Sequence, residues 1–380
     1  MTIKELAYTA QHHLQATTGT KFKRAHIYEL LAAAFGFNSY AALCAEAVFT
    51  RQSLSSRRPA NFGEHLRRRC LAIGYQGDTT SKVAIALPAL LTEQRIGIVS
   101  IEDLIACLRD ESGYGSFPDE EQGNENEVRW WTSSDELVSP LMVDGLNAAA
   151  NNNHAAAHYA LALIHAPTEG ELDAPEVGSD YWYKQVRNGR VLMGVEQEWA
   201  DAHAARLAKD EKFALHLREA AKLGHQEAVL VLADRFDDPA FFDQATGEVN
   251  ADPSGLADIA ERMGRPEDAR KWLTEAAKQG DTDAMLKLIE NHDSEDLQRC
   301  WTWVYLAELL GNDLTKDDYV AIHENGSPYD DDIGGPLFVD GRDGVKLEPI
   351  GEEQGATARR IAREIFEAIR RLRNSPDSYR

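Results

Sequence analysis

Apolar residues along this chain recur mostly at helical spacing. Between Lys4 and Gln15 they fall three and four apart, until Thr17, Thr18 and Gly19 interrupt them. A second run, Phe22 to Phe35 through Ile27, Leu30 and Leu31, predicts a helix closed by Gly36, which takes positive φ without a Cβ penalty. Asn38 or Ser39 then caps a third helix carrying Tyr40, Leu43 and Ala47. Beyond a Ser- and Arg-rich loop (52–61), helical patterning resumes near Phe62 with Leu66 and Leu71. Val83–Leu91 and Ile101–Leu108 also read as helices, the latter behind Ser100 with Asp103 three residues on. Gly, Pro, Asn, Asp and Glu dominate the stretch from Asp110 to Ser134, which predicts a loop or domain boundary there.

The second half repeats itself. Ala149-Ala150-Asn-Asn-Asn153-His154-Ala-Ala-Ala157 aligns with Ala220-Ala221-Lys-Leu-Gly224-His225-Gln-Glu-Ala228 and with Ala276-Ala277-Lys-Gln-Gly280-Asp281-Thr-Asp-Ala284. Weaker copies run from Ala307 through Gly311-Asn312 and from Trp182 through Gly189. The turn positions 153, 189, 224, 280 and 311 step by 36, 35, 56 and 31, the long step holding an apparent insertion at 237–255. A period in the thirties is one helix–turn–helix unit of a solenoid. The pattern has a physical reading: paired alanines let helices approach closely, and Gly or Asn supplies the left-handed residue that stops a helix.

The run Ala269-Arg-Lys-Trp272-Leu-Thr-Glu-Ala276-Ala277-Lys-Gln-Gly280-Asp281 resembles the Sel1-like repeats, relatives of the tetratricopeptide repeats, and the resemblance covers about 140–320. It implies an adaptor that holds partner proteins on a concave face. The family's Gly-x-Gly-Val loop between paired helices is not clearly present. After the repeats, Pro336-Leu-Phe-Val-Asp-Gly341-Arg-Asp-Gly344-Val-Lys-Leu-Glu alternates on both sides of Asp-Gly-Arg-Asp-Gly, which predicts a small β-hairpin. A last helix, about Ala356 to Leu372, carries Ile361, Ile365, Phe366 and Ile369 on one stripe and should cap the array. The expected fold class is therefore all-α: a helical N-terminal module (1–110), an acidic connector (111–139), an α-solenoid of helix–turn–helix repeats (140–322), and a hairpin-containing loop with a capping helix (323–380).

Charge adds an asymmetry. The formal net charge is −23, yet residues 1–70 carry ten Lys/Arg against four Glu, a net of +6 that leaves −29 for the rest. The acidic body would repel nucleic acid and anionic membranes, so nucleic-acid contact is conceivable only through residues 1–70. Cys44, Cys70, Cys107 and Cys300 are scattered without a CxxC pair, which fits a reducing compartment. The first residues hold no apolar signal core, and the best apolar run, Val83–Leu91, contains Pro88 and is far too short to span a membrane. A cytoplasmic protein is expected. The stretch His26 to Leu43 also resembles a short helical module at the ends of various bacterial proteins, which hints at a bacterial source.

Candidate chemistry is sparse. His154, His158 and His165 share a helical face within about 40° and could ligate a metal, but no carboxylate completes a first shell and a solvated or capping role is the plainer reading. Asp330–Asp332 with Asp340 and Asp343 lack the alternation of a calcium loop. Cys44 and Cys70 near His65 come with no base or oxyanion motif, and no P-loop, GxSxG or HExxH is present. No catalytic, cofactor or metal residue is proposed, and no enzyme is expected. The favoured function is an intracellular adaptor binding a protein or peptide, a basic one where the acidic body steers it, with Trp130, Trp131, Tyr181, Trp182 and Tyr183 as aromatic anchors. Aromatics elsewhere (Phe241–Phe242, Trp301 and Trp303) read as core. The alternative is a nucleic-acid-associated regulator. There Lys21, Lys23, Arg24, Arg57, Arg58, Arg67, Arg68 and Arg69 would meet phosphates beside a helix-turn-helix-like segment around Gly36.

Overall fold

A computed structural model describes residues 1–51, 63–112, 138–167, 179–244, 251–324, 326–329 and 336–373. The protein is mostly helical, 68% helix, with two small sheets among the described residues. Contacts divide it into two compact units, Met1–Phe241 and Phe242–Arg380.

In the first unit, α1 (Ile3–Thr18) opens on a capping box in which Thr2 accepts from the Glu5 amide and Glu5 answers the Thr2 amide. It buries Ile3, Leu6, Ala7, Ala10 and Leu14. Helix α2 (Arg24–Ala33) follows, and Ser39 caps α3 (Tyr40–Glu46) through the Ala42 amide. The helix expected to run through Ala47 stops one residue short. The chain instead extends into β1 (Ala47–Arg51), which pairs antiparallel with β2 (Ile96–Ser100), Phe49 opposite Ile98. Between the strands lie α4 (Gly63–Ala72) and α5 (Asp78–Glu93); α6 (Ile101–Ser112) leaves β2 directly.

The mostly helical content agrees with the all-α expectation, but this small sheet was not anticipated, and its burial explains why. Ala47, Phe49, Ile96 and Ile98 enter one core with α1–α5, while Val48 and Val99 enter a second with α6 and the helices that follow. Both faces are covered, so neither strand shows apolar–polar alternation.

The second core holds α7 (Pro140–Ala150), α8 (Ala155–Ile164), α10 (Val195–Lys222) and α11 (Gln226–Phe236), with α9 (Ser179–Arg187) lying on α10. Helix α7 approaches β1 so closely that a Cβ on Gly145 would lie 3.1 Å from Val48. The N-terminal module and the first expected repeat helices thus share their cores across the 111–139 boundary. Most of that connector, including Trp130 and Trp131, lies outside the described residues.

The second unit contains the second half of α12 (Ala240–Asp243), then α13 (Pro253–Arg262), α14 (Pro266–Gln279), α15 (Thr282–Lys287) running into a π-turn (Leu288–His292), α16 (Leu297–Leu310), β3 (Asp318–Ile322), β4 (Phe338–Arg342) and α17 (Glu352–Arg373). Its core includes Leu273, Ala277, Met285, Leu288, Trp303 and Leu306, with Ala362 and Ile369 supplied by α17. Helix α17 packs on α16 and α14 along the expected stripe.

All five anticipated turn residues have positive φ: Asn153 (60°), Gly189 (86°), Gly224 (89°), Gly280 (103°) and Gly311 (99°). Each is followed by the same pair of helix-closing bonds, such as Gly224 N–H to Ala221 O and His225 N–H to Ala220 O. Gly264 repeats this motif inside the long 56-residue step. The reversals are regular; the stacking is less so. Helix α8 packs on α10, skipping α9, and the repeat segment is divided between two units.

The C-terminal hairpin is present but differently registered. Asp-Gly-Arg-Asp-Gly is no turn: Phe338–Arg342 is itself a strand, paired with Asp318–Ile322, and Gly341 sits opposite Tyr319. A Cβ on Gly341 would run into the Asp318 carbonyl oxygen, so glycine here permits strand approach. Val345–Glu348, expected as the second strand, forms no ladder.

Candidate partner-binding surface

Helix α10 is 28 residues long, and its two halves have different neighbours. The C-terminal half buries Phe213, Leu217 and Ala220 against α8 and α11. The N-terminal half buries only Ala200 and His203 and has α9 beside it. One covering helix cannot hide both flanks of another, and apolar side chains remain in solvent.

Three of the expected anchors lie here, on α9. Tyr181 is 52% exposed and meets the Trp182 ring edge-on, with centroids 5.0 Å apart. Trp182 is half-buried beneath the Arg190 guanidinium, 5.2 Å from its centroid. Tyr183 turns inward against His203 at 5.0 Å and accepts a hydrogen bond from Arg187 at 3.4 Å. Tyr183 therefore fastens α9 to α10, while Tyr181 and part of Trp182 face solvent.

The strongest exposure is at residues that sequence reasoning passed over. Leu192 is buried and pins the α9–α10 turn, leaving Val191 89% and Met193 83% exposed on either side of it. Val195 and Trp199, one helical turn apart at the start of α10, are also exposed. Their signal in the sequence is an apolar run, Val191-Leu-Met193, between Gly189 and Gly194, where a loop would normally be polar. Glu196, Glu198 and Asp201 flank the patch, and between 168 and 201 the sequence places eight carboxylates against three cations. Exposed apolar groups rimmed by charge mark contact surfaces.

The histidines come together differently from the metal reading. His154 caps α8, accepting from the Ala157 amide at Nδ1 and donating from Nε2 to the Ala45 carbonyl at 2.8 Å. His158 Nδ1 lies 3.0 Å from His216 Nδ1, and His165 stacks on His216 with centroids 6.3 Å apart. Burial, with Lys212, His216 and Lys209 adding repulsion, pushes His165 down to about 4. Burial and His158 likewise lower His216. Among the described residues, no group of three His, Cys, Asp or Glu is placed to hold a metal ion. Asp330–Asp332 lie outside those residues, Asp340 accepts from the Gly341 amide, and Asp343 accepts from Tyr319 at 2.6 Å. Burial raises the thiols of Cys44 and Cys70, the latter to about 12, opposite to what a nucleophile needs.

Three of the eight basic residues of the alternative have partners within the chain. Arg69 is bound to Glu29, Arg67 pairs with Glu64, and Arg24 donates to the Lys4 carbonyl and covers Tyr8. Lys21, Lys23 and Arg68 are exposed; Arg57 and Arg58 lie outside the described residues. Helix α3, which would enter a groove, has seven residues, and its exposed positions are Ala41, Ala45 and Glu46. Such a face offers no donor to phosphate or base edge.

No protein-family model, curated protein or solved structure matches the chain. No helix among the described residues is long and apolar enough to cross a membrane.

Proposed function

We propose that the protein is an adaptor that binds a protein or peptide partner, and that the α9–α10 hairpin is its contact surface. The carrying observation is the adjoining exposure of Val191, Met193, Val195 and Trp199, with Tyr181 and Trp182 on the neighbouring helix. Leaving such groups in water forgoes about 1.5–3 kcal/mol for each large apolar side chain that could be buried, which a partner would recover. Flanking carboxylates favour a partner with basic residues around an apolar strip, and they would act mainly on association rate. The Sel1-like resemblance points the same way, toward helix pairs serving as a binding scaffold.

The test places a photo-crosslinking amino acid at position 193 or 199 of the full chain in cells that naturally contain it. The expected result is one shared adduct from both positions, absent from a control at exposed Glu211 and lost in a Tyr181→Ala/Val195→Glu background. Adducts that are the same from Glu211, or none from either position, would overturn the proposal.

A further inference from the structure

The second unit carries a groove unrelated to the α9–α10 hairpin. It has a volume of about 630 Å³ and runs between the π-turn with the start of α16 on one side and the segment Asp343–Glu348 on the other. Ile289, Leu297 and Leu347 give it apolar contacts; Glu290, Glu295, Asp343 and Glu348 set four carboxylates against one ammonium, Lys346.

The wall formed by 343–348 has unspent backbone groups. Gly344 N–H is taken by Asp317, Val345 N–H by the Leu314 carbonyl, and the Glu348 carbonyl by the Trp301 indole. These bonds tether both ends of the segment. Between them, Lys346 and Leu347 make no backbone hydrogen bond with any described residue. Tethered main chain with free donors and acceptors is the feature that peptide-binding edges offer, the main chain giving affinity and flanking groups giving selectivity. The rim supplies that selectivity: carboxylates attract Lys or Arg and repel acidic chains.

We infer that this groove binds an extended basic peptide segment, which pairs its main chain with the free backbone groups on the edge of 343–348 that faces it, at Lys346 or at Leu347, and sets cationic side chains against Glu290, Glu295 and Glu348. An extended strand rises about 3.3 Å per residue, so Asp343–Glu348 would accommodate a partner of about four to six residues.

The probe is a fluorescent hexapeptide of alternating Lys and Val, titrated into the full chain by polarisation at low salt, with amide exchange followed in parallel. Binding should weaken with added salt and slow exchange at Lys346 or at Leu347, whichever amide faces the groove. It should fall at least tenfold for Glu290→Lys/Glu295→Lys, both exposed positions, and stay unchanged for Glu308→Lys outside the groove. A peptide with alternate amides N-methylated should also bind at least tenfold more weakly. Equal binding by a control hexapeptide of alternating Glu and Val, by the double variant or by the methylated peptide would overturn the inference, as would unchanged exchange at both Lys346 and Leu347. Because the α9–α10 surface takes no part, loss of its crosslinks leaves these outcomes untouched.

Discussion

Asp293 offers the sharpest test of how the second unit is held together. Its side chain is 0% exposed, yet it meets two cations: Oδ1 receives Arg270 at 2.8 Å and Oδ2 receives Arg299 at 2.7 Å. The Trp303 indole N–H completes the set at 3.0 Å, and Cys300 donates to the Asp293 carbonyl. The π-turn delivers the residue there, closing with the Asp293 amide on the Leu288 carbonyl. One carboxylate thereby ties α14 to α16. Removing one member of a buried ion pair typically costs about 3–5 kcal/mol. The two arginines keep 36% and 33% of their side chains exposed and can turn toward water, so Asp293→Asn belongs at the low end, about 3 kcal/mol.

Hydrogen exchange reads this by unit. A loss of about 3 kcal/mol should speed exchange of the slowest α16 amides roughly 100-fold, while those of α2 in the other unit serve as the reference. Adding Arg299→Met to Asp293→Asn should cost far less than Arg299→Met alone, because the two share one network. A change below about threefold in α16, or full additivity of the two substitutions, would refute the account.

Other outcomes follow from the same geometry. His165 is held at about 4 against an ordinary 6.5, so the unfolded chain takes up this proton first. Stability should therefore be intact above about pH 6.5 and decline as pH falls from there toward 4. His165→Gln should make that decline shallower in urea titrations run at several pH values. Gly224→Ala should cost about 1–2 kcal/mol by denaturant titration, all of it from the left-handed backbone, since nothing lies within 4 Å of the added Cβ. Gly341→Ala should separate β3 from β4 and remove the slow amide exchange of that ladder, leaving the helical circular dichroism unchanged.

What could be read in the sequence was local. A helix stop needs a left-handed residue, and Asn153, Gly189, Gly224, Gly280 and Gly311 each supply one within a recognisable neighbourhood. Gly264 makes the same bonds but follows Ile259-Ala-Glu-Arg-Met263, with no alanine pair to align, and so escaped the repeat. The β1–β2 sheet was hidden because five-residue strands buried on both faces lack alternation. Gly341 was misassigned because Asp-Gly suits a tight turn as well as a close strand approach, and only the partner strand decides between them. At the hairpin surface, Tyr181 and Trp182 stand out as aromatics, whereas Val191 and Met193 leave only a short apolar run between Gly189 and Gly194, which does not say whether it is buried or exposed.

The same argument explains why the exposed surface lies where it does. The helix-closing bonds recur at Gly36 and Gly74, far from the repeats, so they encode reversal and not stacking. Stacking depends on the residues just before the turn. Ala149–Ala150 and Ala276–Ala277 are buried where a neighbouring helix comes close, and Ala220 is fully buried as well. The copy ending at Gly189 has Gln185 and Val186 in those places, and Val186 stays exposed. Larger residues there hold a further helix off, and among the described residues the main packing partner of α9 is α10. The most degenerate repeat is thus the one beside which apolar side chains stay exposed among the described residues, and it is there that the proposed partner would dock.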